Sequence, residues 1–156
     1  MQIVLQQYEY VKSARGALLQ YCAAIPIEQL QQGHDTFNGS SIIKLLVHSA
    51  NTYQYWLKHV GLQQESAYPH TGMMMNITDI KALYETTNII VQDFIGHFSE
   101  KWMESFTARQ PNRELQLTPW QLFTHVITHE FHHKGQILTM SRLLGYIPAD
   151  TDVIRF

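Results

Sequence analysis

The run bounded by Thr118 and Gly145 constrains the fold more than any other part of the chain. Thr118 can accept from the free amides of a helix's first turn, Pro119 suits the first helical position because its missing N–H would have no partner there, and Gln121 stands where a capping box places its return bond. Beyond it Leu122, Val126, Ile137, Met140 and Leu144 fall on one helical face, and Gly145 follows where a C-terminal glycine belongs. A helix with such a face must bury it against other elements, so the sequence predicts a helix packed among helices.

Two histidines interrupt that face. His129 and His133, within THEFHHKGQ (residues 128–136), are four apart and project from the same side about one turn from each other. A lone core histidine is ordinarily a hydrogen-bonded structural residue. A pair at this spacing can direct two lone pairs at one cation, and histidine is a common ligand for zinc and nickel, so the spacing favours a metal site.

The rest of the chain reads as three more helices with long links. Val4, Tyr8, Val11, Arg15, Leu18 and Cys22 recur at steps of three and four, predicting a first helix of five or six turns. Residues 26–40 carry turn residues and a short helix around Ile27 to Gln31. Ser40 or Ser41 caps a second helix reaching about Val60, with Gly61 as its closing glycine and His48 at the margin of its core face. His59, near its end, complements the helix dipole. Residues 61–77, with Pro69, Gly72 and Met73 to Met75, form a link long enough to let helices two and three run parallel; the methionines read as a cap over one end of the core. Asn76 or Thr78 starts a third helix ending about His97. The segments SFTAR and RELQL, separated by Gln110-Pro111-Asn112, predict a small hairpin or an extended cover within residues 102–117. No repeat or low-complexity tract divides the chain, so residues 1–156 are expected to form a single all-α domain, a four-helix bundle.

Composition narrows the function. With 156 residues, 45% hydrophobic and 15% charged, the chain can build a core, and a net charge of −2 offers no excess of cations for a nucleic-acid backbone. The single Cys22 excludes an internal disulfide and falls in an apolar pattern, which reads as a buried inert thiol. MQIVLQQYEYVK lacks the basic start of a secretion signal, and no run approaches membrane-spanning length, so no membrane partner and a cytoplasmic location are expected.

A bundle interior can bring His48 to His129 and His133, and three histidines leave a coordination position open. Structural zinc sites are usually closed by four protein groups and are often cysteine-rich; an open one suits catalysis. The placement of His48 early in the second helix, the segment HEFHHKGQI (129–137) and the tail SRLLGYIPAD (141–150) closely resemble the DinB/YfiT-like family of bundle metalloproteins, over nearly the whole chain. The resemblance implies up-down-down-up connectivity, a divalent zinc- or nickel-type site with His48, His129 and His133 as ligands, and a homodimer. It also implies a low-molecular-weight thiol cosubstrate: characterised relatives include transferases and isomerases that use bacillithiol, mycothiol or glutathione, though many members have no assigned reaction.

The leading expectation is thiol S-transfer to a small electrophile. The alternatives are a metal-dependent hydrolase and a non-enzymatic metal-binding stress-response or interaction protein. Glu130 and His125 are candidate catalytic bases, subject to their lying within reach of a reacting group. Glu130 also completes His-Glu-x-x-His, the zinc-protease pattern, but Thr139 stands where a metzincin would place its third histidine. Glu130 could equally pair with Lys134 at the surface. His125 could be a second donor, an alternative ligand or part of an access route, and His132 reads as lying at a helix seam.

Overall fold

The structure, a computed structural model, describes residues 2–110 and 113–155. In chain order it contains α1 (Gln2–Cys22), the short α2 (Ile27–Leu30), α3 (Ile42–Tyr53), α4 (Ile77–His97), strands β1 (Phe106–Gln110) and β2 (Arg113–Leu117), and α5 (Pro119–Leu143). A π-helical segment, Gln54–Gly61, continues α3. The chain is thus mostly helical, as expected, with one departure from an all-α fold: the two strands form a true antiparallel ladder, Phe106 opposite Leu117 and Thr107 opposite Gln116. The hairpin's expected turn at Pro111 and Asn112 lies outside the described residues.

Local chemistry sets the helix ends. The Ser41 hydroxyl accepts from the Lys44 amide at 3.2 Å and starts α3. At α4, Asn76 Oδ1 accepts from Thr78 and Asp79 while the Asp79 carboxylate accepts from the Asn76 amide, a complete capping box. Thr118 and Gln121 make the same reciprocal pair at α5. Gly145 closes α5 at φ 89°, a conformation that glycine adopts without a Cβ penalty.

Gly61 departs from its expected role. It does not adopt a positive φ; the left-handed residue is Gln63, at φ 53°. A Cβ on Gly61 would instead stand 2.5 Å from Phe94 Cε2 and 3.3 Å from Leu122 Cδ1, so this glycine lets the π segment press against α4 and α5. Of the three consecutive methionines only Met74 is buried, while Met73 and Met75 are exposed. Cys22 is fully buried, and burial pushes its thiol pKa up to about 12, which leaves it an unreactive core residue. Among the described residues no helix is long and apolar enough to cross a membrane.

The core falls into two clusters. One holds Leu18, Cys22, Ile42, Leu46, Ile80 and Ile137; the other holds Tyr8, Tyr53, Val91, Phe94, Phe123 and Val126. Along α1 and α5 the level between them is occupied by charge. Arg15 donates from Nε and Nη2 to the two oxygens of Glu130, at 2.6 and 2.8 Å, and both residues are buried. Tyr53 on α3 donates to Glu130 Oε2 at 2.5 Å, and Arg15 Nη1 reaches Asn88 on α4 at 2.9 Å. Burial acts to lower the Arg15 pKa, but the Glu130 carboxylate outweighs it and holds the guanidinium above its ordinary range. The bidentate pair with its flanking donors meets the condition under which a buried charge pair is tolerated, and it joins four helices at one level.

The close approach at Gly61 gives a direct test. Gly61→Ala should destabilise the protein by about 1–3 kcal/mol through overpacking against the fully buried Phe94, read as a lower midpoint in urea unfolding; an unchanged midpoint would mean the contact is slack.

Candidate metal centre

α3 and α5 pack side by side, which brings His48 to the two histidines of α5. His129 Nε2 lies 3.0 Å from His48 Nε2 and 3.0 Å from His133 Nε2. The three rings differ in access: His48 is exposed, His129 half-buried and His133 buried, so the cluster sits where the helix seam opens to solvent.

The protons in this cluster can be placed by their partners. His133 Nδ1 is 2.6 Å from Gln136 Oε1, an acceptor, so Nδ1 carries the hydrogen and the Nε2 lone pair faces the cluster. A ring nitrogen has a single in-plane direction for a hydrogen or a lone pair. His129 Nε2 therefore cannot satisfy both 3.0 Å neighbours through one proton, whereas one cation placed among the three would satisfy them all. Carboxylate and thiolate are absent from the group, and a neutral three-imidazole set suits a borderline divalent ion.

Electrostatics favours the lone-pair form. Desolvation lowers the pKa of His48; desolvation, then the neighbouring His133 and His48, brings His129 down to about 4; and desolvation lowers His133 against the opposing pull of Gln136. All three are then neutral, and able to ligate, at neutral pH.

Beside the cluster is a cavity of about 450 Å³, lined by His48, His129, His125, Trp56, Tyr55 and Tyr68 among others. The π segment contributes Tyr55 and Trp56, as such segments often do at functional sites. The link after it folds back so that the Pro69 carbonyl accepts from Asn51 Nδ2 at 2.8 Å, which brings Tyr68 to the cavity.

The remaining candidates divide. His125 stacks on His129 with ring centroids 5.7 Å apart and meets Trp56 edge-on, so it belongs to the cavity wall beside the cluster. His132 is exposed and touches His133 edge-on. His59 stacks on Tyr55, and His97 lies against Phe98. Glu130 points elsewhere: both its oxygens are engaged by Arg15 and Tyr53. The surface pair with Lys134 does not form, because Glu130 faces the core while Lys134 donates to the Thr151 carbonyl at 2.8 Å and lies 3.5 Å from Asp152. A carboxylate so committed is poorly placed to serve as the base of a His-Glu-x-x-His protease. Gln136 and the aromatic residues of the π segment are the site residues that spacing rules pass over; for Gln136 the signals are its place in the segment HEFHHKGQI and its position three residues after His133.

The architecture defines a helical protein with three imidazoles converging at the mouth of a pocket. Compared with known families, the chain matches the DinB family over residues 1–156, and it belongs to that family. No curated protein matches it.

Two outcomes follow from the proton placement. Gln136→Leu should weaken metal affinity by about 10- to 100-fold, measured by competition with a chelating dye, because the orienting acceptor is lost; an unchanged affinity would remove Gln136 from the site. Because the ring pKa values lie below the ordinary 6.5, metal affinity should be flat above that pH and fall only as acid protonates the rings below it. A decline already complete at neutral pH would contradict the assigned protonation.

Proposed function

We propose that this DinB-family chain is a divalent-metal-dependent enzyme that acts on small molecules, with His48, His129 and His133 holding zinc or nickel and one coordination position left for a reactant. The observation that carries the reading is the meeting of three imidazole nitrogens from two helices at the opening of a small-molecule-sized cavity. An ion bound there supplies Lewis acidity that lowers the pKa of a thiol or water and makes it a nucleophile near neutral pH. The reaction favoured is S-transfer: a low-molecular-weight thiol gives up its proton, its sulfur forms a bond to an electrophilic carbon, and the leaving group departs with the electrons of the broken bond.

The chain's own residues would orient and shield this step. Gln136 fixes the His133 ring, the aromatic cavity receives the electrophile, and His125, on the cavity wall, is the residue best placed to take the thiol proton. Glu130 acts through the fold, by tying α5 to α1 and α3. The fuller reading takes residues 1–156 as one bundle domain of up-down-down-up connectivity, working in the cytoplasm as a homodimer.

Metal content and turnover test this together. The purified protein should retain about one ion per chain, lost in His48→Ala, His129→Ala and His133→Ala, and should consume small electrophiles only with added thiol. Full metal retention in all three variants would refute the site. Turnover of ester, amide or chlorinated compounds without thiol would replace transfer with hydrolysis, and metal binding without either turnover would replace the enzyme with a binding protein.

A further inference from the structure

The cavity beside the cluster is walled mainly by rings. From His129 a chain of ring contacts runs outward: His125 stacks on His129 at 5.7 Å, Trp56 meets His125 edge-on at 5.1 Å, and Tyr55 meets Trp56 edge-on at 5.1 Å. Tyr68, from the link, adds a ring that is 45% exposed. Trp56 and Tyr55 are only half-buried. Adjacent aromatic rings left in reach of solvent forgo the stabilisation that burial would bring, which marks a surface adapted to be covered.

Besides its rings the wall carries two polar side chains, Asn51 and Thr52, and Asn51 Oδ1 is buried with no hydrogen-bond partner among the described residues. Asn51 Nδ2 donates to Pro69, and the Thr52 hydroxyl donates to the His48 carbonyl at 2.9 Å. Among the described residues no Asp, Glu, Lys or Arg lines the cavity. A carboxylate or ammonium group drawn into it would lose water without gaining a counter-charge from the walls, whereas a flat ring would stack or meet edges on up to four others.

We propose that this cavity binds the uncharged aromatic part of the substrate, with Trp56, Tyr55, Tyr68 and His125 setting specificity and the coordination position taking the polar end. The inference rests on the metal-centre reading for the orientation of the ligand but not for the cavity's preference. It assigns the cavity to the electrophile: a thiol bearing several carboxylates has no cationic anchor within it and would approach from the solvent side.

A matched set of probes separates the two claims. On protein carrying one zinc per chain, calorimetry with benzohydroxamate, acetohydroxamate and 4-carboxybenzohydroxamate keeps the chelating group constant and varies the ring. Benzohydroxamate should bind at least about 10-fold tighter than acetohydroxamate, the margin that one stacked ring supplies. The carboxylated probe should bind more weakly than benzohydroxamate. Trp56→Ala and, separately, Tyr68→Ala, a change in an exposed link residue, should shrink the ring's advantage while leaving acetohydroxamate affinity unchanged. In metal-free protein, benzamide and not acetamide should shift the Trp56 indole N–H resonance, assigned by its loss in Trp56→Phe. Equal affinity for the ring and methyl probes, carboxylated-probe binding as tight as benzohydroxamate, or an indole resonance that ignores benzamide would overturn the proposal. A chain that takes up no zinc yet shows the benzamide shift would refute the metal centre and leave the aromatic cavity standing.

Discussion

The buried pair of Arg15 and Glu130 is the interaction on which the geometry of the site depends. It stands at the level where one apolar cluster gives way to the other, and its partners come from α1, α3, α4 and α5. Apolar contacts alone tolerate sliding, since hydrophobic attraction has no direction. A bidentate carboxylate–guanidinium contact with a tyrosine donor has one geometry: misregistering α1 against α5 would strand a buried charge at about 3–5 kcal/mol, and misregistering α3 would take the Tyr53 donor from Glu130. The register of α3 against α5, held where Tyr53 meets Glu130, is what carries His48, five residues earlier on α3, to His129 and His133.

Function then follows from a contrast between neighbours on one helix. Glu130 and His129 are adjacent in sequence and face different surroundings: the carboxylate is neutralised inside, and the imidazole is half-buried beside uncharged rings. The same contrast separates a DinB-type reading of the motif from a protease reading. In the latter the glutamate must reach a water beside the ion; in this chain both its oxygens are taken by Arg15 and Tyr53.

Much of this was legible in the residues. The capping box at Thr118, the start of α4 at Asn76 or Thr78, the stripe from Val4 to Cys22 and the four-residue spacing of His129 and His133 are local signals, and local signals survive folding. Arg15 is a clue of another kind: an arginine on the apolar face of the first helix requires a buried anion, but the sequence does not say that Glu130, 115 residues away, supplies it. Gly61 does end the helical run, but in place of a left-handed cap it answers to Phe94, a contact no local pattern reveals. The lengthening of α3 into a π segment, which sets Tyr55 and Trp56 on the cavity wall, likewise depends on packing between elements. The ligand set was reached through resemblance, since spacing alone joins His129 to His133 but says nothing of His48.

The most direct test of the whole account is anomalous diffraction from crystals of the zinc-loaded protein, collected on both sides of the zinc edge. One strong peak per chain should appear about 2.0–2.1 Å from the Nε2 atoms of His48, His129 and His133, with its remaining position facing the aromatic cavity. A peak elsewhere on the chain, or a fourth protein ligand closing that position, would contradict it.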